Sequence, residues 1–130
     1  MKHDILTRDD VKRLVDEFYI GVRKTPLLGK IFDDVMSVNW EKHLPKMYDF
    51  WENILFQTGN YKGFPFAAHM PVNEKAPLTS QHFDVWLQLF HETIDRLFEG
   101  ENANQLKIKS STIKEVWSSK MAFINSYNHT

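Results

Sequence analysis

The chain has 130 residues, a length that fits one compact domain and leaves too little for a second independent core. Sixteen Lys and Arg against seventeen Asp and Glu give a formal charge of −1 with no basic stripe, which argues against a nucleic-acid partner. Cysteine is absent, so disulfides, thiolate metal sites, iron–sulfur clusters and thioether-linked prosthetic groups are excluded together.

The opening MKHDILTRDD is charged throughout and no run of 18 or more apolar residues occurs, so no signal peptide or membrane span is expected and a cytoplasmic protein is the default. Aromatic residues reach 14%, with ten Phe, four Trp and four Tyr. Wide flat side chains in that number suit the walls of a pocket for a flat apolar ligand, although aromatic cores without ligands are common.

Apolar residues recur at helical spacing and period-two alternation is nearly missing, which predicts an all-α fold in a single domain over 1–130. The first helix opens at Thr7, with Asp10 three residues on. It carries Val11, Leu14, Val15, Phe18, Tyr19 and Val22 on one face and stops near Thr25-Pro26. LLGKIF (27–32) reads as a short helical turn delivering Ile31 and Phe32 inward. A second main helix presents Leu44, Met47, Phe50, Trp51, Ile54 and Leu55, with Pro45 placed in its first turn and Gly59 marking its end. Residues 59–79 hold three of the five Pro together with Gly59 and Gly63, so irregular chain is expected there, with at most one short helix around 65–70. A third helix from Thr79 carries Phe83, Trp86, Leu87, Phe90, Ile94, Leu97 and Phe98 up to Gly100, and a fourth carries Ile113, Val116, Trp117, Met121 and Ile124.

Several chemistries fail on spacing. No Glu has a His three residues later, no two His stand four apart, His91-Glu92 has Asp95 where a zincin helix needs its second His, and G-x-S-x-G does not occur. Haem asks for less: one imidazole on the iron, an apolar slot and a few polar groups over the sixth position. Of six His, His3 and His129 lie near the termini and His91 sits on the less apolar flank of its helix. His43, His69 and His82 remain. His69, in FPFAAHMPV, has a tight apolar setting that favours ligation, while a His satisfied by a backbone carbonyl in a turn fits the same residues. His82, one turn before Trp86, is the main rival ligand, or a His stacked on that indole.

HLPKMYDFW (43–51), TGNYKGFPFAAHMPV (58–72) and HFDVWLQLF (82–90), with FY at 18–19 and LGKIF at 28–32 in order, resemble the segments of group 3 truncated haemoglobins over nearly the whole chain. The resemblance implies a two-over-two helical sandwich around non-covalent haem b, with His69 on the iron and His82 at a recurrent position that is not the ligand. It makes Tyr19 the distal phenol, Trp86 the distal indole donor and His43 a distal imidazole that swings as a gate. Phe32 would press on the haem edge, Met47 and Trp51 line the pocket, and Phe18, Phe50 and Phe66 add to its walls. Ordinary core packing accounts equally well for Met47, Phe50 and Trp51. Lys30 stands where the family often has Pro, NEKA (73–76) lengthens the segment between His69 and Trp86, and Tyr61 and Lys62 are candidates for the haem propionates.

The function implied is tight binding of dioxygen and other diatomic ligands, with chemistry on nitric oxide or peroxide through a separate reductase as an extension, and no membrane or nucleic acid as partner. A gas or redox sensor acting through a separate partner is the alternative, and an all-α interaction domain without cofactor is the third.

Overall fold

A computed structural model of the chain describes residues 2–128; His129 lies outside them. Helix α1 spans Arg8–Lys24. The Thr7 hydroxyl accepts the Asp10 amide at 3.2 Å, and the Asp10 carboxylate accepts the Leu6 and Thr7 amides at 2.9 and 3.2 Å, so the capping box anticipated at Thr7 satisfies the free donors of the first turn. The six apolar residues of the predicted stripe are the six that α1 buries. At Thr25 the backbone turns extended and Pro26 opens α2, Pro26–Gly29.

Without a break α2 passes into a π-helical segment, Lys30–Val35. Gly29 makes the corner possible, because a Cβ there would lie 2.5 Å from the Arg23 carbonyl oxygen. The widened turn buries Ile31 and sets the Phe32 ring 5.7 Å from that of Tyr19. Such π turns are rare and cluster at functional sites.

Asn39 caps α3, Trp40–Phe56, by accepting the Lys42 amide. The helix therefore starts earlier than the sequence suggested, and Pro45 lies in its second turn instead of its first. The position is tolerable because Pro45 and Glu41 are both exposed, so the Glu41 carbonyl that loses a partner is open to water. Left-handed Gln57 (φ 57°) ends α3 two residues before Gly59.

The span expected to hold at most one short helix contains two: α4, Pro65–Ala68, and α5, Met70–Lys75, meeting at His69. Most of NEKA is thus helical. Buried Asn73 fixes α5 by donating to Asn125 Oδ1 at 2.8 Å and accepting the Leu78 amide at 2.9 Å, while Asn125 donates back to the Leu78 carbonyl.

Helix α6, Ser80–Leu97, buries Phe83, Phe90, Thr93, Ile94 and Leu97. Helix α7, Glu101–Asn128, is 28 residues long, about 42 Å at 1.5 Å per residue. Its buried set is Ala103, Leu106, Ser110 and Met121, and Val116, expected on the inner stripe, is exposed. The Asp4 carboxylate caps α7 from the other end of the chain, accepting the Asn102 and Ala103 amides at 2.9 Å.

Helix α1 packs on α3 and α6, α6 on α7, and α3 reaches α7, a two-over-two arrangement with no strand among the described residues. The larger apolar cluster joins α1, α3, α6 and the start of α7; a smaller one groups Leu78, Phe83 and Met121 with Phe66, Met70, Val72, Trp117 and Ile124. No helix among the described residues is long and apolar enough to cross a membrane.

Candidate functional site

Three elements bring their polar and aromatic groups together at one side of the larger cluster. Tyr19 of α1 is buried, and its hydroxyl stands 3.3 Å from His43 Nε2 of α3. Phe32 lies against both rings, at 5.7 Å from Tyr19 and 6.1 Å from His43. Burial pushes the Tyr19 phenol well above the usual tyrosine range, so it stays protonated and able to donate. Burial first, then the charges of His69 and Lys46, hold the His43 imidazole below its usual value, which keeps it neutral with one donor and one acceptor nitrogen.

Beside this group stands an aromatic stack. Trp86 and Phe90 are nearly parallel at 5.7 Å, Trp51 lies on Phe90 at 4.5 Å and on Trp86 at 6.3 Å, and Phe18 meets Trp86 edge-on at 6.1 Å. Phe18 also touches Tyr19 at 4.9 Å, so it links the stack to the phenol. Trp86 itself has no ring contact with Tyr19 or His43. Met47 packs against the same cluster, and Phe50 meets Trp51 and Tyr61 edge-on. Tyr61 is half-buried, and Gly63 admits it, since a Cβ there would fall 2.6 Å from the Tyr61 hydroxyl. Lys62 is exposed.

His69 sits at the junction of α4 and α5, where the chain leaves one helical turn and enters the next. Its Nδ1 lies 2.6 Å from the Pro65 carbonyl. A carbonyl can only accept, so Nδ1 carries the proton and Nε2 keeps its lone pair. Burial lowers the imidazole pKa against the opposing effect of that bond, and the neutral form is the one that ligates a metal. Trp117 of α7 packs on the ring at 5.0 Å, and Phe66 packs on Trp117 at 5.7 Å. Phe66 therefore lies on the His69 side, away from Tyr19.

His82 is occupied elsewhere: its Nδ1 accepts the Thr79 amide at 3.0 Å and completes the cap of α6, with no ring contact to Trp86. His91 Nε2 lies 3.1 Å from the Lys107 carbonyl and 3.2 Å from Ser110 Oγ, bridging α6 to α7. His3 packs on Phe98.

Two aromatic residues escaped the sequence reading. Trp117 was seen only as part of a stripe. Trp40 was passed over, although its spacing of three to His43 in WEKH sets both on one helix face; its ring lies 5.3 Å from Tyr19 and 5.6 Å from both Phe32 and His43. Among the described residues no three His, Asp or Glu side chains converge as metal ligands; haem, which the resemblance implies, asks the protein for a single imidazole. One tautomer-locked imidazole, flat aromatic walls and a polar pair of Tyr and His fit that group.

No family model matches the chain. Its fold defines an all-α, truncated-globin class: the crystal structure of a group III truncated haemoglobin from Campylobacter jejuni superposes with a TM-score of 0.81 at 27% identity, covering 93% of this chain and 95% of that one. In sequence the chain is 28% identical over 116 residues to a curated group 3 truncated haemoglobin of Campylobacter jejuni, 87% of this chain and 89% of the relative. The resemblance to group 3 truncated haemoglobins is thus shown in sequence and in fold alike.

Proposed function

We propose that this chain binds haem b without a covalent link, with His69 Nε2 as the protein ligand of the iron, and binds dioxygen and other small gaseous ligands there. The observation that carries the proposal is the Pro65 carbonyl on His69 Nδ1, which fixes the tautomer and leaves Nε2 as the coordinating nitrogen. Phe32, Met47, Trp51 and Phe18 supply apolar surface on the His43 side and Phe66 on the His69 side. When bound, haem supplies a ferrous centre whose sixth position accepts a diatomic gas.

The chain's part is to meet the charge such a ligand draws. Tyr19 donates its hydroxyl hydrogen in a hydrogen bond, His43 shares that hydroxyl, and the Trp86 indole N–H, which makes no hydrogen bond among the described residues, is a second donor. A hydrogen bond to a charged acceptor contributes roughly 1.5–3 kcal/mol, so Tyr19 and Trp86 together would slow release by a large factor. Slow release fits retention of the ligand, and chemistry on nitric oxide or peroxide with a separate reductase, better than oxygen delivery.

Haemin titration tests the proposal. The wild-type chain should gain a Soret band. His69→Gly should bind haem more weakly, with its ferrous spectrum restored by added imidazole. Unchanged affinity and spectrum in His69→Gly would overturn the assignment.

A further inference from the structure

We propose that Trp40 is a positioning residue for His43, and that Asp33 and Arg23 hold it in place. The inference rests on the proposed distal role of Tyr19 and His43 but uses a different set of contacts. The Trp40 indole donates Nε1–H to Asp33 Oδ1 at 3.0 Å, Arg23 Nε donates to Asp33 Oδ2 at 3.2 Å, and the Arg23 guanidinium lies over the indole at 4.9 Å. Each residue comes from a different element: Arg23 from α1, Asp33 from the π-helical segment, Trp40 from α3. The same indole meets His43 nearly at right angles, 81°, with centroids 5.6 Å apart.

A partly buried indole N–H needs an acceptor, and Asp33 is the one it has. The Arg23–Asp33 pair is half-exposed and would stabilise the fold little by itself. Its effect is geometric: it fixes the carboxylate, the carboxylate fixes the indole, and the indole walls one side of the imidazole. His43 is thereby held where its Nε2 reaches the Tyr19 hydroxyl. Left-handed Ser37 (φ 48°), between the π-helical segment and α3, is a rarely adopted backbone conformation for a residue other than glycine; it joins the two halves of the clamp.

Asp33→Ala removes both bonds, Asp33→Asn keeps an oxygen for the indole while losing the charge pair, and Trp40→Phe keeps a ring but no donor. In the ferrous carbon-monoxide complex, Asp33→Ala and Trp40→Phe should shift the His43 ring nitrogen resonances and spread the C–O stretching band over more than one position. Dioxygen release should quicken about three- to tenfold, the size of one neutral hydrogen bond, and Asp33→Asn, which keeps the indole's acceptor but not the charge pair with Arg23, should fall between wild type and Asp33→Ala. On a Tyr19→Phe background, Asp33→Ala should add nothing further. Unchanged His43 resonances and C–O band in a folded Asp33→Ala protein would overturn the proposal. If Trp40→Phe does not fold, the Asp33 pair of variants decides. If the chain takes up no haem, the haem reading fails by itself, and the His43 resonances of the haem-free protein still decide the role of Trp40.

Discussion

Tyr19 and His43, 24 residues apart in sequence, meet through hydroxyl and Nε2 at 3.3 Å with their rings almost perpendicular. Because a hydroxyl donates one proton and accepts in two directions, Tyr19 can serve a bound ligand and His43 together. Tyr19→Phe should therefore accelerate dioxygen release by tenfold or more, about 1.5–3 kcal/mol for a charged acceptor, and Trp86→Leu should act in the same direction. Stopped-flow displacement by carbon monoxide measures both, and unchanged rates in the two variants would refute the donor assignment.

The haem-free protein should lose stability in mild acid. His43, His69 and His82 all have folded-state pKa values held below the usual 6.5, with burial the first cause in each. The unfolded chain then takes up protons before the folded one does, so stability is full above about pH 6.5, declines as the pH falls through that value, and levels off below the folded-state values. Urea midpoints at pH 7.5 and 5.5 should differ in that sense, and His43→Gln should narrow the difference.

Asp4 and Gly100 form the second place where one residue depends closely on another. A Cβ on Gly100, whose φ is 147°, would sit 2.4 Å from Asp4 Cγ. Asp4→Ala removes the cap of α7 and should cost about 1 kcal/mol. Gly100→Ala should cost at least as much by displacing the same carboxylate. Burial opposes ionisation of Asp4, but the amides of Asn102, Ala103 and Ile5 outweigh it and hold the carboxyl below the usual range. The cap's contribution is thus present above about pH 4 and lost as the pH falls through the folded-state value; thermal melts of wild type and Asp4→Ala should converge in strong acid.

Asn73→Ala should destabilise the chain by about 1–3 kcal/mol, because it strands the Leu78 amide and one side of Asn125. The Asn73 backbone N–H bonds the His69 carbonyl at 3.0 Å and stays in the variant, so loosening of α5 by loss of the side-chain anchors is passed to His69 and the variant should lose haem to apomyoglobin faster than wild type. Equal transfer rates would show that α5 does not steady His69.

Where local signals agreed, the sequence was legible. Thr7, Asp10 and six apolar residues gave α1 nearly to the residue, since cap and stripe are both local. Helix α7 was legible only in its middle. Ile108, Val116 and Phe123 are exposed and blur its face, and the signal for its start is Asp4, 98 residues from Asn102. The π-helical segment has no periodic signature, and Pro45 drew attention away from Asn39 as the cap of α3. His69 stood out by its apolar surroundings, and the family resemblance separated it from His82, which gave no hint of its capping role. The bonds joining Arg23, Asp33 and Trp40 depend on the π turn and could not be read before it was seen.

His69 joins two short helices and packs on Trp117 of the smaller apolar cluster, whereas Tyr19 lies in the larger cluster, built on α1, α3, α6 and the start of α7. Short elements with few buried side chains open at lower free energy than long packed ones, so without a ligand the flap from Pro65 to Lys75 should breathe while the remainder holds. Amide exchange in the haem-free chain should run faster across that flap than in α1 or α6. A rigid planar guest would then be admitted from the flap's side and clasped as it shuts, making cofactor capture the last act of folding.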